Sequence, residues 1–329
     1  MTGEQIHIVG VDDGYAAIKV AWMNGNGMET RVFPSRAVSG LHGVTDMAGE
    51  AVGGYRTQGQ SFTVGIEGLP NIIDTRFDDY PTSDLNRVLV HHALSTSGFA
   101  GQSCRLATGL PFTDFYRDPA RRDAKIASLA KSVETISGAD SVHITQQSVF
   151  PEAAIAWIDI TVDDEGNLVG DLDAPVAIVD IGGRTTDIAI MLPGRQIDQD
   201  RSGTEQLGVL DVHQQIRDRA SHSDRFGVPI SAAAAERGIR SRVLRLWGKD
   251  QDISDLVDSA IDDLTRRVVQ VTQQRIGRGQ DLDRVIVIGG GGALLRDAFG
   301  EYPNFEIPPN PEFANARGMF KYEAYINAD

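Results

Sequence analysis

The sequence predicts an α/β protein of two related lobes around a shared cleft, and three observations predict it. An apolar strand ending in an acid, a glycine turn and an apolar return strand occur at residues 8–22, IVGVDDGYAAIKVAW. The same pattern returns at residues 175–193, PVAIVDIGGRTTDIAIMLP. The copies are offset by 168 residues at the acid, Asp12 against Asp180, and by 169 at the closing glycine, Gly25 against Gly194, which predicts one residue inserted in the second turn. Thirdly, residues 284–295, RVIVIGGGGALL, read as a buried strand running into four glycines and a helix start. A duplication at this period reads as two lobes, each offering one hairpin to a common ligand.

The chemistry of these stretches points to phosphate. Glycines admit close approach to the backbone N–H groups, because no Cβ stands in the way and positive φ is allowed. A carboxylate at a strand end cannot bind phosphate directly, but it can hold Mg²⁺ through water or orient an attacking water. A glycine run that opens a helix places further N–H donors against a nucleotide. The spacing is not that of a dinucleotide fingerprint, and the P-loop pattern is absent.

Composition bounds the class. A chain of 329 residues suffices for two domains with their own cores, and its 41% hydrophobic and 23% charged residues are those of a soluble globular protein. No stretch approaches a membrane span and the N-terminus lacks a basic, apolar leader, so a cytoplasmic protein without membrane attachment is expected. The net charge of −15 argues against direct binding to DNA. The single cysteine, Cys104, excludes an intrachain disulfide and reads as a buried, inert thiol. The histidines show no ligand spacing and are read as structural.

The remaining elements follow in order. Residues 30–34 read as a third strand, 39–60 as a glycine-rich surface loop or short excursion, and 61–66 as a strand. Thr82-Ser83-Asp84 offers an N-cap for a helix with apolar residues at 85, 88, 89, 90, 93 and 94, closed by Gly98. Residues 104–111 form a buried strand, a helix covers about 119–132, and a strand lies near 142–144. Residues 148–157 run strand, corner, helix, with Glu152 in the first turn of that helix. There a carboxylate suits the helix dipole; the functional alternative is a catalytic carboxylate facing the cleft. The acidic segment 161–174 reads as a hinge or surface hairpin. Helices are expected over 209–220, at 232–235, and over 253–276 as one long amphipathic helix. A terminal helix around 315–320 returns to the first lobe.

Together, the two hairpins, the strand–GGGG–helix and the closing Asn315-Ala316-Arg317-Gly318 resemble the actin, heat-shock chaperone and sugar kinase superfamily. Within it, the chain is most similar to the plasmid-segregation actins of the ParM (StbA) group. The likeness rests on Val11-Asp12-Asp13-Gly14, Ile18-Lys19, the helix VHHALSTSG at 90–98, LPFTDFY at 110–116, Pro151-Glu152 and Leu207-Gly208-Val209. It implies an actin-like fold, with two ribonuclease H-like lobes around a nucleotide cleft. The first lobe would span 1–172, with helix 316–329 returning to it, and the second 173–315. It implies ATP (or GTP) and Mg²⁺ as ligands, hydrolysis coupled to filament dynamics, self-assembly, and a basic ParR-like adaptor bound to a plasmid centromere.

By the same resemblance Asp12 and Asp180 flank Mg²⁺, and Glu152 positions the attacking water, with Asp180 as a second catalytic carboxylate. Gly14, Tyr15, Gly182, Gly183 and Arg184 give backbone donors to the phosphates, and Lys19 directs its ammonium at them. Gly208, Gly290, Gly291 and Gly292 border the nucleotide. Tyr15-Ala16-Ala17 departs from the small hydroxyl residues usual in the first turn. Arg184 stands where a threonine is more usual, open to a phosphate contact or a salt bridge to Asp187. A sugar- or acetate-kinase type phosphotransferase and a non-polymerising nucleotide switch are the alternatives within the superfamily.

Overall fold

A computed structural model describes residues 5–327 apart from 26, 48, 50, 51, 67–70, 224 and 301. In chain order the elements begin with strands β1 Ile6–Asp13, β2 Ala17–Asn24, β3 Gly27–Pro34, β4 Ala37–Ser39, β5 Gly54–Thr57 and β6 Gln60–Val64. Helix α1 Asp84–Leu94, β7 Ser103–Leu110, α2 Phe112–Arg117, α3 Pro119–Leu129, β8 Glu134–Thr135, β9 His143–Pro151 and α4 Ala156–Thr161 follow. The second half holds β10 Val176–Ile181, β11 Thr186–Leu192, β12 Gln196–Ile197, β13 Gly203–Glu205, α5 Val209–His222, α6 Ala232–Ser241, β14 Val243–Leu246, β15 Lys249–Asp252, α7 Ser254–Ile276, β16 Arg284–Ile288, β17 Phe305–Glu306 and α8 Ala314–Lys321.

Two sheets carry the same strand order. The first runs β3-β2-β1-β7-β9 and the second β12-β11-β10-β16-β17, with β13 also on β11. In each, a hairpin supplies antiparallel strands and two later strands add in parallel to its first strand. The central strands are apolar because both faces are covered: every residue of β10 is buried. The duplication seen in the sequence is therefore one of topology.

The register corrects one expectation. Asp12 pairs with Lys19, and Asp180 with Asp187, so the two hairpins have turns of equal length. The extra residue of the second copy lies beyond the return strand, not in the turn.

Three apolar clusters hold the fold. One lies under each sheet, and the third is shared by both sheets, drawing Ala107, Ile178, Ala189 and Ile288 together with residues of α4 and α8. The chain approaches itself closely in this layer. A methyl group on Gly10 would meet the Ala316 carbonyl oxygen at 2.1 Å, and one on Gly318 the Ile155 carbonyl oxygen at 2.2 Å. Glycine at both positions lets α8 lie directly on β1 and α4, which is how the terminal helix returns to the first sheet; residues 328–329 of its expected span lie outside the described residues.

Ser83 caps α1, accepting from the Asn86 N–H at 3.2 Å. Cys104 is buried and its thiol is pushed up to about 12 by burial, as an inert thiol should be. Other expectations fail in instructive ways. Residues 39–60 are not one loop, since β5 lies there and joins a four-stranded sheet of order β4-β6-β5-β8. The strands expected near 142–144 and 148–150 are one strand, β9. Glu152 is not in the first turn of a helix, because α4 begins only at Ala156. The run Gly289–Gly292 opens turns and a short 3₁₀ segment, Arg296–Phe299, in place of an α-helix, in keeping with glycine's poor helix propensity.

Candidate functional site

The two hairpins meet at their turns. A methyl group on Gly183 would lie 2.6 Å from the Ala16 Cβ. Among the described residues, the backbone N–H groups of Tyr15, Ala16, Gly183 and Arg184 have no hydrogen-bond acceptor within the chain. These donors are what an anion between the turns would require.

Behind the turns the cross-strand register fixes the charges. Opposite residues of an antiparallel pair share a face, so Lys19 reaches Asp12, and its Nζ donates to Asp12 Oδ2 at 2.9 Å. Burial alone would lower the Lys19 ammonium's pKa, but Asp12 and Asp180 outweigh it and raise it. In the second hairpin the equivalent of Lys19 is Asp187. Its Oδ1 accepts from the Phe112 N–H at 2.7 Å, at the start of α2, and its carboxylate also takes the Thr204 hydroxyl.

Asp180 is pushed up to about 7, first by burial and then by the charges of Asp12 and Asp187. Glu152 is raised well above the ordinary carboxylate range, first by burial and then by Asp12, Asp187 and Asp180. Its side chain lies over Gly109, where a Cβ would meet Glu152 Oε1 at 2.9 Å. So Asp12, Lys19, Glu152 and Asp180, named from separate parts of the sequence, lie close enough for their charges to act on one another.

Two supports were not assigned from the sequence. Asn315, on α8 and only 3% exposed, donates from Nδ2 to Asp180 Oδ2 at 2.7 Å and accepts the Ala153 N–H on Oδ1 at 3.1 Å. It ties the second hairpin to the turn that carries Glu152. Ala153 holds φ at +61°, a conformation disfavoured for a residue with a Cβ. Lys125 of α3 is buried against Asp13, with Nζ–oxygen distances of 2.8 and 2.7 Å, and also donates to the Gly109 carbonyl at 2.5 Å. Asn86 completes Asp13's partners at 2.8 Å. This pair anchors the first hairpin beneath the site. The Asn315 motif was visible in the sequence, but its two partners lie 135 and 162 residues away along the chain.

The remaining candidates lie in the two turns and in the backbone packed behind them. Gly14 sits beside Lys19, whose Nζ a Cβ there would meet at 3.3 Å; Gly182 closes the second turn by donating to the Thr185 carbonyl at 2.9 Å, so its N–H is engaged and is not the phosphate donor expected of it. Arg184 pairs with Asp78 at 2.6 Å, not with Asp187, and its guanidinium lies 5.2 Å from the centre of the Tyr15 ring. Its Nη1 is buried with no hydrogen-bond partner. Gly208 packs beneath the second turn, where a Cβ would strike the Gly183 carbonyl oxygen at 2.4 Å. Of the glycine run, Gly290 faces open space, whereas Gly291 donates to the Ile181 carbonyl at 2.9 Å and a Cβ on it would meet Ile181 Cγ2 at 2.4 Å. A Cβ on Gly292 would meet the Ile288 carbonyl oxygen at 3.2 Å.

The donor set suits a hard cation with a phosphate. The carboxylates offer only oxygen donors, they outnumber the two lysines beside them, Lys19 and Lys125, and the turns carry free amides. Among the described residues no three His, Cys, Asp or Glu side chains form a metal cage. Mg²⁺ bound to a nucleotide needs only one or two carboxylates, reached directly or through water.

This is an actin-like fold. Residues 7–162 match the model of plasmid segregation protein ParM, N-terminal, and residues 178–301 that of the archaeal actin homologue MreB-like, C-terminal. A ParM from Clostridium botulinum, solved as a 15-stranded filament, superposes with a TM-score of 0.76 at 19% identity, covering 97% of this chain and 99% of that one. An archaeal actin homologue in complex with ADP gives 0.78 at 22% identity, with 97% and 99% covered. Bacillus thuringiensis ParM with ATP gives 0.65 at 15%, with 99% and 100% covered. No curated protein matches the sequence significantly. The chain thus has an actin-like fold, and its first half is similar to plasmid segregation protein ParM.

Proposed function

We propose that this chain binds a Mg²⁺-nucleoside triphosphate, ATP or GTP, between its two hairpins, hydrolyses it, and assembles into filaments that move plasmid copies apart. The observation that carries the reading is the convergence of Asp12, Lys19, Glu152 and Asp180 from both halves of the chain into one buried cluster behind the two hairpin turns. The likeness to a ParM solved as a filament and to neighbours solved with ADP and ATP supports it. We divide the chain accordingly into a first lobe, 1–172 with the terminal helix, and a second, 173–315.

The chain's own groups divide the work. Asp12 and Asp180 would hold the cation and its waters. The bound cation would draw negative charge from the phosphate oxygens. Lys19 and the free amides of Tyr15, Ala16, Gly183 and Arg184 stabilise charge on the same oxygens without reorganising. Glu152, made more basic when ionised by burial and its acidic neighbours, orients a water for in-line attack on the γ-phosphate and accepts its proton. Catalysis is then positioning and electrostatics. Gly290 borders the nucleotide where the backbone is open, while Gly208, Gly291 and Gly292 shape the wall behind it.

The partners follow the same reading. A basic ParR-like adaptor bound to a plasmid centromere suits a chain of net charge −15, and direct DNA contact does not. No helix among the described residues is long and apolar enough to cross a membrane; we place the protein in the cytoplasm. The test is Glu152→Ala. Phosphate release should fall nearly to background while nucleotide binding stays at the wild-type level. Unchanged release would remove Glu152 from the mechanism.

A further inference from the structure

Two surface features have no role in the nucleotide site, and each lacks what the other offers. Strands β14 and β15 form a hairpin in which Leu246 pairs with Lys249, so Trp247 and Gly248 alone make the turn. Their φ angles are +48° and +77°. A two-residue turn of this kind favours Asn or Gly in its first place, and a bulky residue there is strained. Yet the residue is tryptophan, and it is 79% exposed. Strain and a bare indole together mark a residue retained for something outside its own fold.

The second feature is a cavity of about 490 Å³ at the C-terminal end of α7. Leu282 and Tyr302, each 5% exposed, line it with Pro303 and the bare backbone of Gly277 and Gly279. Arg278 stands exposed at its edge.

We propose that Trp247 of one copy seats in this cavity of the next, making the head-to-tail contact of the filament. The proposal rests on the filament reading above and names its surfaces. Knob and socket lie at opposite ends of α7, a helix of 23 residues, or about 34 Å at 1.5 Å per residue. The hairpin joins the N-terminal end of α7, and its tip stands about 17 Å at most from its base at 3.3 Å per residue. Trp247 therefore cannot fill the cavity of its own chain. A contact between opposite ends of one rigid body is heterologous and repeats without limit unless it closes into a ring. The flanking charges match: exposed Lys249 follows the turn and exposed Asp283 follows Leu282, and neither has an ion-pair partner among the described residues. A rigid aromatic anchor with an arginine at its edge is also the composition of interface hot spots.

The test uses the full chain. Trp247→Ala, at an exposed turn, should leave nucleotide binding intact and raise the protein concentration needed for pelleting about thirtyfold, as loss of a hot spot of about 2 kcal/mol implies. As a second arm, Lys249→Cys and Asp283→Cys, which leave Trp247 in place, are combined in one chain. Mild oxidation of filaments should give a ladder of cross-linked oligomers, whereas mixing the two single variants should give dimers only; Cys104 is buried and does not interfere. Wild type that pellets beside Trp247→Ala pelleting at the same concentration, or filaments that yield no ladder, overturns the proposal alone. Wild type that never pellets removes the filament reading, and this contact with it.

Discussion

Replacing Asn315 tests whether the terminal helix sets the geometry of the site. Asn315→Leu removes the donor to Asp180 Oδ2 and the acceptor of the Ala153 N–H at once. An amide bond to a charged carboxylate contributes about 1.5–3 kcal/mol, and an orphaned buried N–H costs about 1–3 kcal/mol. Asp180 already lies near neutrality through burial and its acidic neighbours. It can take up a proton in place of remaining an unpartnered anion, which holds the loss in fold stability toward the lower figures. The larger effect falls on Glu152. Ala153, at φ +61°, is held in a conformation it would otherwise leave, and its release moves the adjoining carboxylate. Loss of 1.5–3 kcal/mol of positioning corresponds to about ten- to hundredfold in the rate of phosphate release, with nucleotide affinity little changed. Asn315→Asp separates the two bonds. It keeps an acceptor for Ala153 but sets another carboxylate against Asp180, so it should be at least as slow as the leucine variant. Phosphate release at saturating nucleotide, beside binding of a fluorescent ADP analogue and a thermal melt, gives the readout. A folded Asn315→Leu variant that hydrolyses at the wild-type rate would refute the reasoning.

Two further outcomes follow from buried charge. Lys125→Met leaves Asp13 in a site where both side chains are at most 2% exposed; unfolding in denaturant should show a loss of about 3–5 kcal/mol, and a loss under 1 kcal/mol would mean the pair is dispensable. His91 is held down to about 4 by burial, then by Arg87, against 6.5 when unfolded. Its depressed folded value means that its contribution is present above pH 6.5 and is lost as pH falls toward 4. His91→Leu should therefore make the stability difference between pH 7 and pH 5 smaller by about 2 kcal/mol, and an unchanged difference would show that this histidine does not titrate on unfolding.

Much of this architecture was legible because it is local. The hairpins announce themselves through apolar runs bounded by acids and glycines, and the capping triplet Thr82-Ser83-Asp84 through its place before a helical pattern. What the sequence hid is set by partners far along the chain. β5 reads as loop because its four residues make a strand only beside β6 and Thr135. Lys125 looks like a solvated helix residue until Asp13, 112 residues away, is placed against it. The turn insertion was misplaced because matching the end glycines cannot show where a ladder stops. Arg184 had Asp187 as a neighbour in sequence, but β11 turns that carboxylate toward α2, leaving Asp78 as the reachable acid.

The most direct measurement is sedimentation with ATP, GTP, ADP and a non-hydrolysable analogue, with light scattering and phosphate release followed together. The account predicts pelleting with a triphosphate that decays as phosphate appears and persists with the analogue. Nucleotide binding without assembly under any of these conditions would contradict it.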